Sequence, residues 1–92
     1  MKEYVVTLDV RIKDEYPAWI IVALNNELSE GESINNVNCT FLPRDGELNC
    51  FMMTFVTKCI YHPAMWVDDA INYHLQEGEE VTSESRPIEY TP

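Results

Sequence analysis

The side chains in this sequence that could do chemistry are few, and their spacing limits what they can do. The densest group is Cys59-Ile60-Tyr61-His62, followed by His74. Cys-x-x-His supplies two metal ligands, whereas zinc takes three or four. Each histidine also has a plain structural use: His62 precedes Pro63 at a helix start, and His74 falls on the inner side of an amphipathic stripe. Asp68 and Asp69 are adjacent on the same expected helix, so they project about 100° apart and make no carboxylate pair. Phosphate chemistry would need a glycine-rich anion cradle or a positioned arginine after the first strand, and Lys13-Asp14-Glu15 stands there instead. The expectation is a protein that is not an enzyme and uses neither metal nor cofactor.

Charge is the outlier of the composition. Sixteen acids stand against six bases, a formal net charge of −10. Such a surface repels phosphate backbones and anionic lipid, so neither nucleic acid nor membrane is an expected partner. A basic protein surface is the complementary one. The 46% apolar and 11% aromatic content is ample for a packed core, which argues against disorder. The longest apolar run, Ala18–Leu24, has seven residues, against the about 20 that a membrane span needs. Cys39, Cys50 and Cys59 are odd in number and lack Cys-x-x-Cys spacing, so reduced thiols in a cytoplasmic protein without an apolar leader are expected.

The elements that would position these groups follow from periodicity. Tyr4, Val6, Leu8, Val10 and Ile12 alternate with Val5, Thr7, Asp9 and Arg11, the period of a half-buried strand. Asp14-Glu15-Tyr16-Pro17 reads as a helix start with acids in the first turn, the helix running to about Leu28 with Gly31 as its stop. A second strand is expected over about 34–42. Pro43-Arg44-Asp45-Gly46 then turns it back into a third strand over 47–58, apolar on both faces and therefore central. A second helix is expected over 63–76, ended by Gly78, and an edge strand over 80–89 containing Pro87.

Offsetting the chain against itself by 47 residues matches Thr7 with Thr54, Trp19 with Trp66, Ala23 with Ala70 and Asn25 with Asn72. Leu28 then meets Leu75, and Glu30-Gly31-Glu32 meets Glu77-Gly78-Glu79. Eight identities exceed the roughly three that chance supplies at background composition. One domain over 1–92 is expected, with half-repeats of about 4–42 and 51–89. Two strand–helix–strand halves of this size predict a ferredoxin-like α+β sandwich, an antiparallel sheet in the order 4-1-3-2 with both helices on one face. The repeat sets Tyr4, Val6, Leu8, Val10 and Ile12 beside Phe51, Met53, Phe55, Thr57 and Cys59 under the helices. That assignment buries the aromatics an RNA-reading sheet would have to expose.

Two surfaces remain as candidate sites. The open sheet face carries Val5, Thr7, Met52, Thr54 and Val56, with Val5, Met52 and Val56 forming an apolar patch that a homodimer would cover. The helix ends carry Glu30, Glu32, Glu77, Glu79 and Glu80, where the helix dipole disfavours acids by some tenths of a kcal/mol, so local stability does not ask for them. Those acids would form rims at opposite ends of the domain. The expectation is an acidic, non-enzymatic interaction protein acting through its acidic rims or its open sheet face. It would bind and modulate, by inhibition, a macromolecular partner with a basic surface, such as a nucleic-acid-handling enzyme. Rims that imitate a duplex's charge row are an alternative to acids simply inherited from the duplicated half. In composition, though in no motif, the chain resembles accessory proteins of phages and mobile elements. The alternative is a small-ligand-sensing regulatory domain acting as a dimer.

Overall fold

The computed structural model describes residues 1–89; residues 90–92, which the single-domain reading includes, lie outside the described residues. Strand β1 (Lys2–Ile12) is followed by helix α1 (Ala18–Asn25), strands β2 (Ser33–Asp45) and β3 (Leu48–Cys59), helix α2 (Val67–Asn72) and strand β4 (Glu80–Pro87). The sheet runs β2-β3-β1-β4 with antiparallel neighbours throughout, which is the expected 4-1-3-2 order read from its other edge. The result is a small α+β fold of a four-stranded antiparallel sheet and two helices, consistent with the ferredoxin-like arrangement.

The core forms where two alternating rows meet. Tyr4, Val6, Leu8, Val10 and Ile12 of β1 and Phe51, Met53, Phe55, Thr57 and Cys59 of β3 are all buried on the helix side. Ile20 and Leu24 of α1, Val67 and Ile71 of α2, and Val81 of β4 close the cluster. Burying a side chain of this kind contributes about 1.5–3 kcal/mol relative to leaving it in water. Thr57 is the polar member of the row. Its hydroxyl donates to the Ser33 carbonyl at 3.0 Å, so the row keeps a satisfied polar group without loss.

Helix boundaries differ from the sequence expectation. The acids Asp14 and Glu15 lie in the loop ahead of α1, which starts at Ala18 with no acid in its first turn. It ends at Asn25, where the chain tightens into i→i+3 turns, Glu27 N–H to Leu24 and Leu28 N–H to Asn25. The second helix is broken rather than continuous. A 3-10 turn over Pro63–Met65 meets Trp66 at φ −141°, outside helical geometry, and α2 proper has six residues. Conversely β2 is longer than expected. Pro43 and Arg44 fall inside the strand at a register shift between Leu42 and Asp45, and a two-residue loop opened by Gly46 (φ +61°) makes the turn. An edge strand tolerates the missing proline N–H.

These lengths have a consequence. An α-helix rises 1.5 Å per residue, so α1 is about 12 Å long and α2 about 9 Å. A strand rises about 3.4 Å per residue, so the thirteen residues of β2 extend about 44 Å. The helix layer covers the middle of β1 and β3 and leaves β2 almost wholly exposed.

Candidate functional site

The helix-end acids divide into two kinds. Glu32 accepts from the Ser29 N–H at 2.7 Å and from the Ile60 N–H at 2.9 Å. Glu79 accepts from the Gln76 N–H at 2.7 Å and from the Lys13 N–H at 2.7 Å. Each bond of one set becomes the other when every residue is exchanged for its counterpart 47 positions away in the other half. In both, one carboxylate closes its own helix-end turn and also grips the chain just beyond the first strand of the opposite half. Gly31 (φ +87°) and Gly78 (φ +86°) supply the left-handed residue that turns each carboxylate back. The expectation that local stability has no use for these acids is therefore corrected for Glu32 and Glu79. The dipole disfavours them slightly, but two charge-assisted bonds to backbone N–H groups outweigh that. Donation from Ile60, then from Ser29, holds the Glu32 carboxyl below the usual carboxylate range.

The side chains of Glu30, Glu77 and Glu80 are exposed and make no hydrogen bond or ion pair among the described residues, Glu80 standing across the β1–β4 ladder from Arg11. Lys13 follows β1 and Ile60 follows β3, and these strands are antiparallel, so the two acid clusters stand at opposite ends of the sheet. Nearby, Arg11 and Asp45 pair at 3.4 Å across the open face with both side chains largely solvated, a contact worth little.

On the open face, register decides what is adjacent. Val5 opposes Val56, Thr7 opposes Thr54, and Asp9 opposes Met52; β4 sets Arg86, Glu84 and Thr82 beside Val5, Thr7 and Asp9. Met52 is 46% exposed, while Val5, Thr7, Thr54 and Val56 are half-buried. The expected apolar patch is therefore divided. A valine pair lies at one end and Met52 at the other, with a threonine pair between and charged neighbours alongside.

The chemistry-bearing residues take structural positions. Cys59 is buried and donates its thiol to the Tyr61 carbonyl at 3.1 Å, and burial pushes that thiol up, away from the thiolate a metal binds. His62 Nδ1 accepts from the Ala64 N–H at 3.0 Å, capping the 3-10 turn. His74 lies beyond α2 rather than on its inner side. It is exposed, with its ring edge-on to Trp19 and Tyr73. Asp68 accepts from the Ser83 hydroxyl at 2.7 Å, tying α2 to β4. Among the described residues no three His, Cys, Asp or Glu side chains are grouped to hold a metal, and all three cysteines are free. Among the described residues no helix is long and apolar enough to cross a membrane.

A groove of about 450 Å³ that the sequence did not lead one to expect lies between α1 and α2, lined by Ala23, Ala70, Trp66, Glu27 and Asp69 among others. Val22 is 60% exposed and Tyr73 87% exposed beside it. A signal existed in Ala18–Asn25, which is apolar on every side whereas a one-sided helix should alternate. The two repeat-related tryptophans also differ. Trp66 Nε1 donates to the Tyr61 carbonyl at 3.3 Å. The equivalent acceptor for Trp19, the Asp14 carbonyl, is taken by the Asn49 side-chain amide at 2.9 Å, and Trp19 Nε1 is buried without a partner.

No protein-family model matches this chain, and no curated protein sequence does. Among solved structures it is similar to the de novo designed protein Foldit4, with a TM-score of 0.57 and 15% identity, covering 92% of this chain and 97% of that one. It is also similar to LarC2, the C-terminal domain of a cyclometallase involved in the synthesis of the NPN cofactor of lactate racemase, in its apo form. There the TM-score is 0.48 and the identity 13%, over 90% of this chain and 56% of that one. At these identities the likeness to the designed protein is one of fold alone: a four-stranded antiparallel sheet carrying two helices.

Proposed function

We propose that this is a non-enzymatic interaction protein whose acidic rims bind a basic surface on a macromolecular partner, such as a nucleic-acid-handling enzyme, and inhibit it. One observation carries the reading. Glu30, Glu77 and Glu80 stand exposed at the two ends of the sheet with no internal partner among the described residues, in a chain of net charge −10. Such carboxylates add to self-repulsion, and a cationic partner would relieve it. Glu32 and Glu79 support the rims indirectly, by holding the turns from which the free acids project. The recurrence of the carboxylate bonds at a 47-residue offset supports a ferredoxin-like domain built from a duplicated strand–helix–strand unit.

The test is to capture a partner and measure its affinity for the wild type and for the triple variant Glu30→Gln, Glu77→Gln, Glu80→Gln, at low and moderate salt. Binding should weaken in the variant and fall with salt. Affinity indifferent to both would sink the acidic-rim reading. A second reading, a small-ligand-sensing domain, is favoured by the α1–α2 groove, whose size suits a small molecule. It predicts a rise in melting temperature with a metabolite mixture, lost in Ala70→Trp.

A further inference from the structure

The two edges of the sheet are built differently. The β4 edge carries Glu80, Glu84 and Arg86 spread along its length, charges of the kind that keep an edge from pairing with another strand. The β2 edge has no charged residue over the eleven positions from Ser33 to Pro43. Phe41 is 66% exposed, Val37 42% and Leu42 36%. Irregularities bracket its regular part. A register shift between Asn35 and Asn38, with Asn36 at φ +55°, lies on one side, and the shift at Pro43 on the other. Between them Asn38–Leu42 pairs residue for residue with β3, a regular strip of about 17 Å with one side unpaired. On the helix side Phe41 packs against Phe51 at 5.3 Å and Tyr16 at 6.4 Å, where neither helix reaches.

We infer that β2 pairs antiparallel with the β2 of a second copy of this chain, about a twofold axis at Thr40. The uncharged edge admits a second copy as the occupant, and the protected β4 edges let that pairing close. Two molecules of net charge −10 repel on most approaches, but along this edge they meet without a charge opposing a charge. The register uses the whole of that strip. Cys39 falls opposite the second copy's Phe41 on the helix side, while Thr40 meets its own counterpart and Asn38 meets Leu42 on the open face. The eight-stranded sheet that results is bounded by two β4 edges, so assembly stops at two copies. The contact differs from the open-face dimer expected from the sequence, because Val5 and Val56 are half-buried within their own molecule. It is independent of the acidic rims, and the two readings fail separately.

Sedimentation velocity across a wide concentration range tests it. The wild type should reach twice its 10.7 kDa mass and go no further. Salt should tighten the dimer by screening the net repulsion, opposite in sign to its effect on rim binding. Thr40→Lys, an exposed edge position, places two lysines across the twofold and should leave a monomer of unchanged circular dichroism. Thr7→Lys on the open face, separated from β2 by β3, should still dimerise. A wild type that stays monomeric, a dimeric Thr40→Lys, a monomeric Thr7→Lys, or growth beyond two copies would each overturn the inference. Hydrogen exchange on the unmodified protein gives a readout that needs no variant. The outward-facing amides of Asn38–Leu42 should become protected as concentration rises while those of β4 do not, and equal behaviour of the two edges would refute it.

Discussion

Replacing Glu79 by glutamine separates two physical accounts of an acid at a helix end. By charge alone the change should stabilise: it removes a negative group from the negative end of a dipole, in a chain already at −10, for a gain of about 0.3–0.5 kcal/mol. By the geometry it should destabilise. The carboxylate receives two N–H groups at 2.7 Å, from Gln76 and Lys13, and an amide has only one oxygen to offer. Losing a charge-assisted bond costs about 1.5–3 kcal/mol when buried, and less here because water can reach both N–H groups. A net loss of about 1 kcal/mol follows, or roughly 4–8 °C in melting temperature for a domain of this size. Urea denaturation at neutral pH measures it, with Glu77→Gln as the internal control. Glu77 shares the turn but makes no bond, so its replacement should leave stability unchanged or raise it. Glu32→Gln should shift stability in the same direction as Glu79→Gln. The double variant should be additive, because the two clamps are separated by the length of β1, about 37 Å. A Glu79→Gln protein as stable as wild type, or an equal loss in Glu77→Gln, would refute the clamp.

The Glu32 carboxyl is held below its ordinary range by the Ile60 and Ser29 N–H groups, so its contribution is fully present above the unfolded value of about 4.3 and is lost as pH falls through the lower folded value. Urea titrations should therefore find a constant gap between wild type and Glu32→Gln from neutral pH to about 5, closing in more acid solution; a gap unchanged at low pH would mean the charge is not what matters. Trp66→Phe removes a bond to the Tyr61 carbonyl and should cost about 1 kcal/mol more than Trp19→Phe, which removes an N–H that has no partner. Paired chemical denaturation of the two variants checks this, and equal losses would contradict it. Gly78→Ala should destabilise by about 1 kcal/mol through backbone strain alone, since a Cβ there meets nothing within 4 Å but the φ of +86° is unfavourable for alanine. A neutral Gly78→Ala in thermal melts would show that the turn can relax.

Periodicity and repetition carried the sheet. The alternation of Tyr4 to Ile12, and its match to Phe51 to Cys59 at an offset of 47, was enough to name the buried rows and the strand order, because a period of two and a crossover rule are properties of the chain itself. The helices were less legible. Their ends depend on Trp66, whose indole reaches back to Tyr61, and on turns closed by carboxylates from further along the chain.

The site was the least legible part. A local rule about dipoles gave Glu32 and Glu79 no stabilising role, yet their partners include Ile60 and Lys13, 28 and 66 residues away. Likewise Val5, Met52 and Val56 read as one patch until the register set a threonine pair between them. The sequence by itself determined which faces are apolar, how the strands are ordered and how large the net charge is, since each is a sum or a period over neighbouring residues. Only the tertiary structure decided which acids are bound and which are free, and which edge lies bare beyond two short helices. Those depend on distances between segments remote in the chain, and no local pattern encodes them.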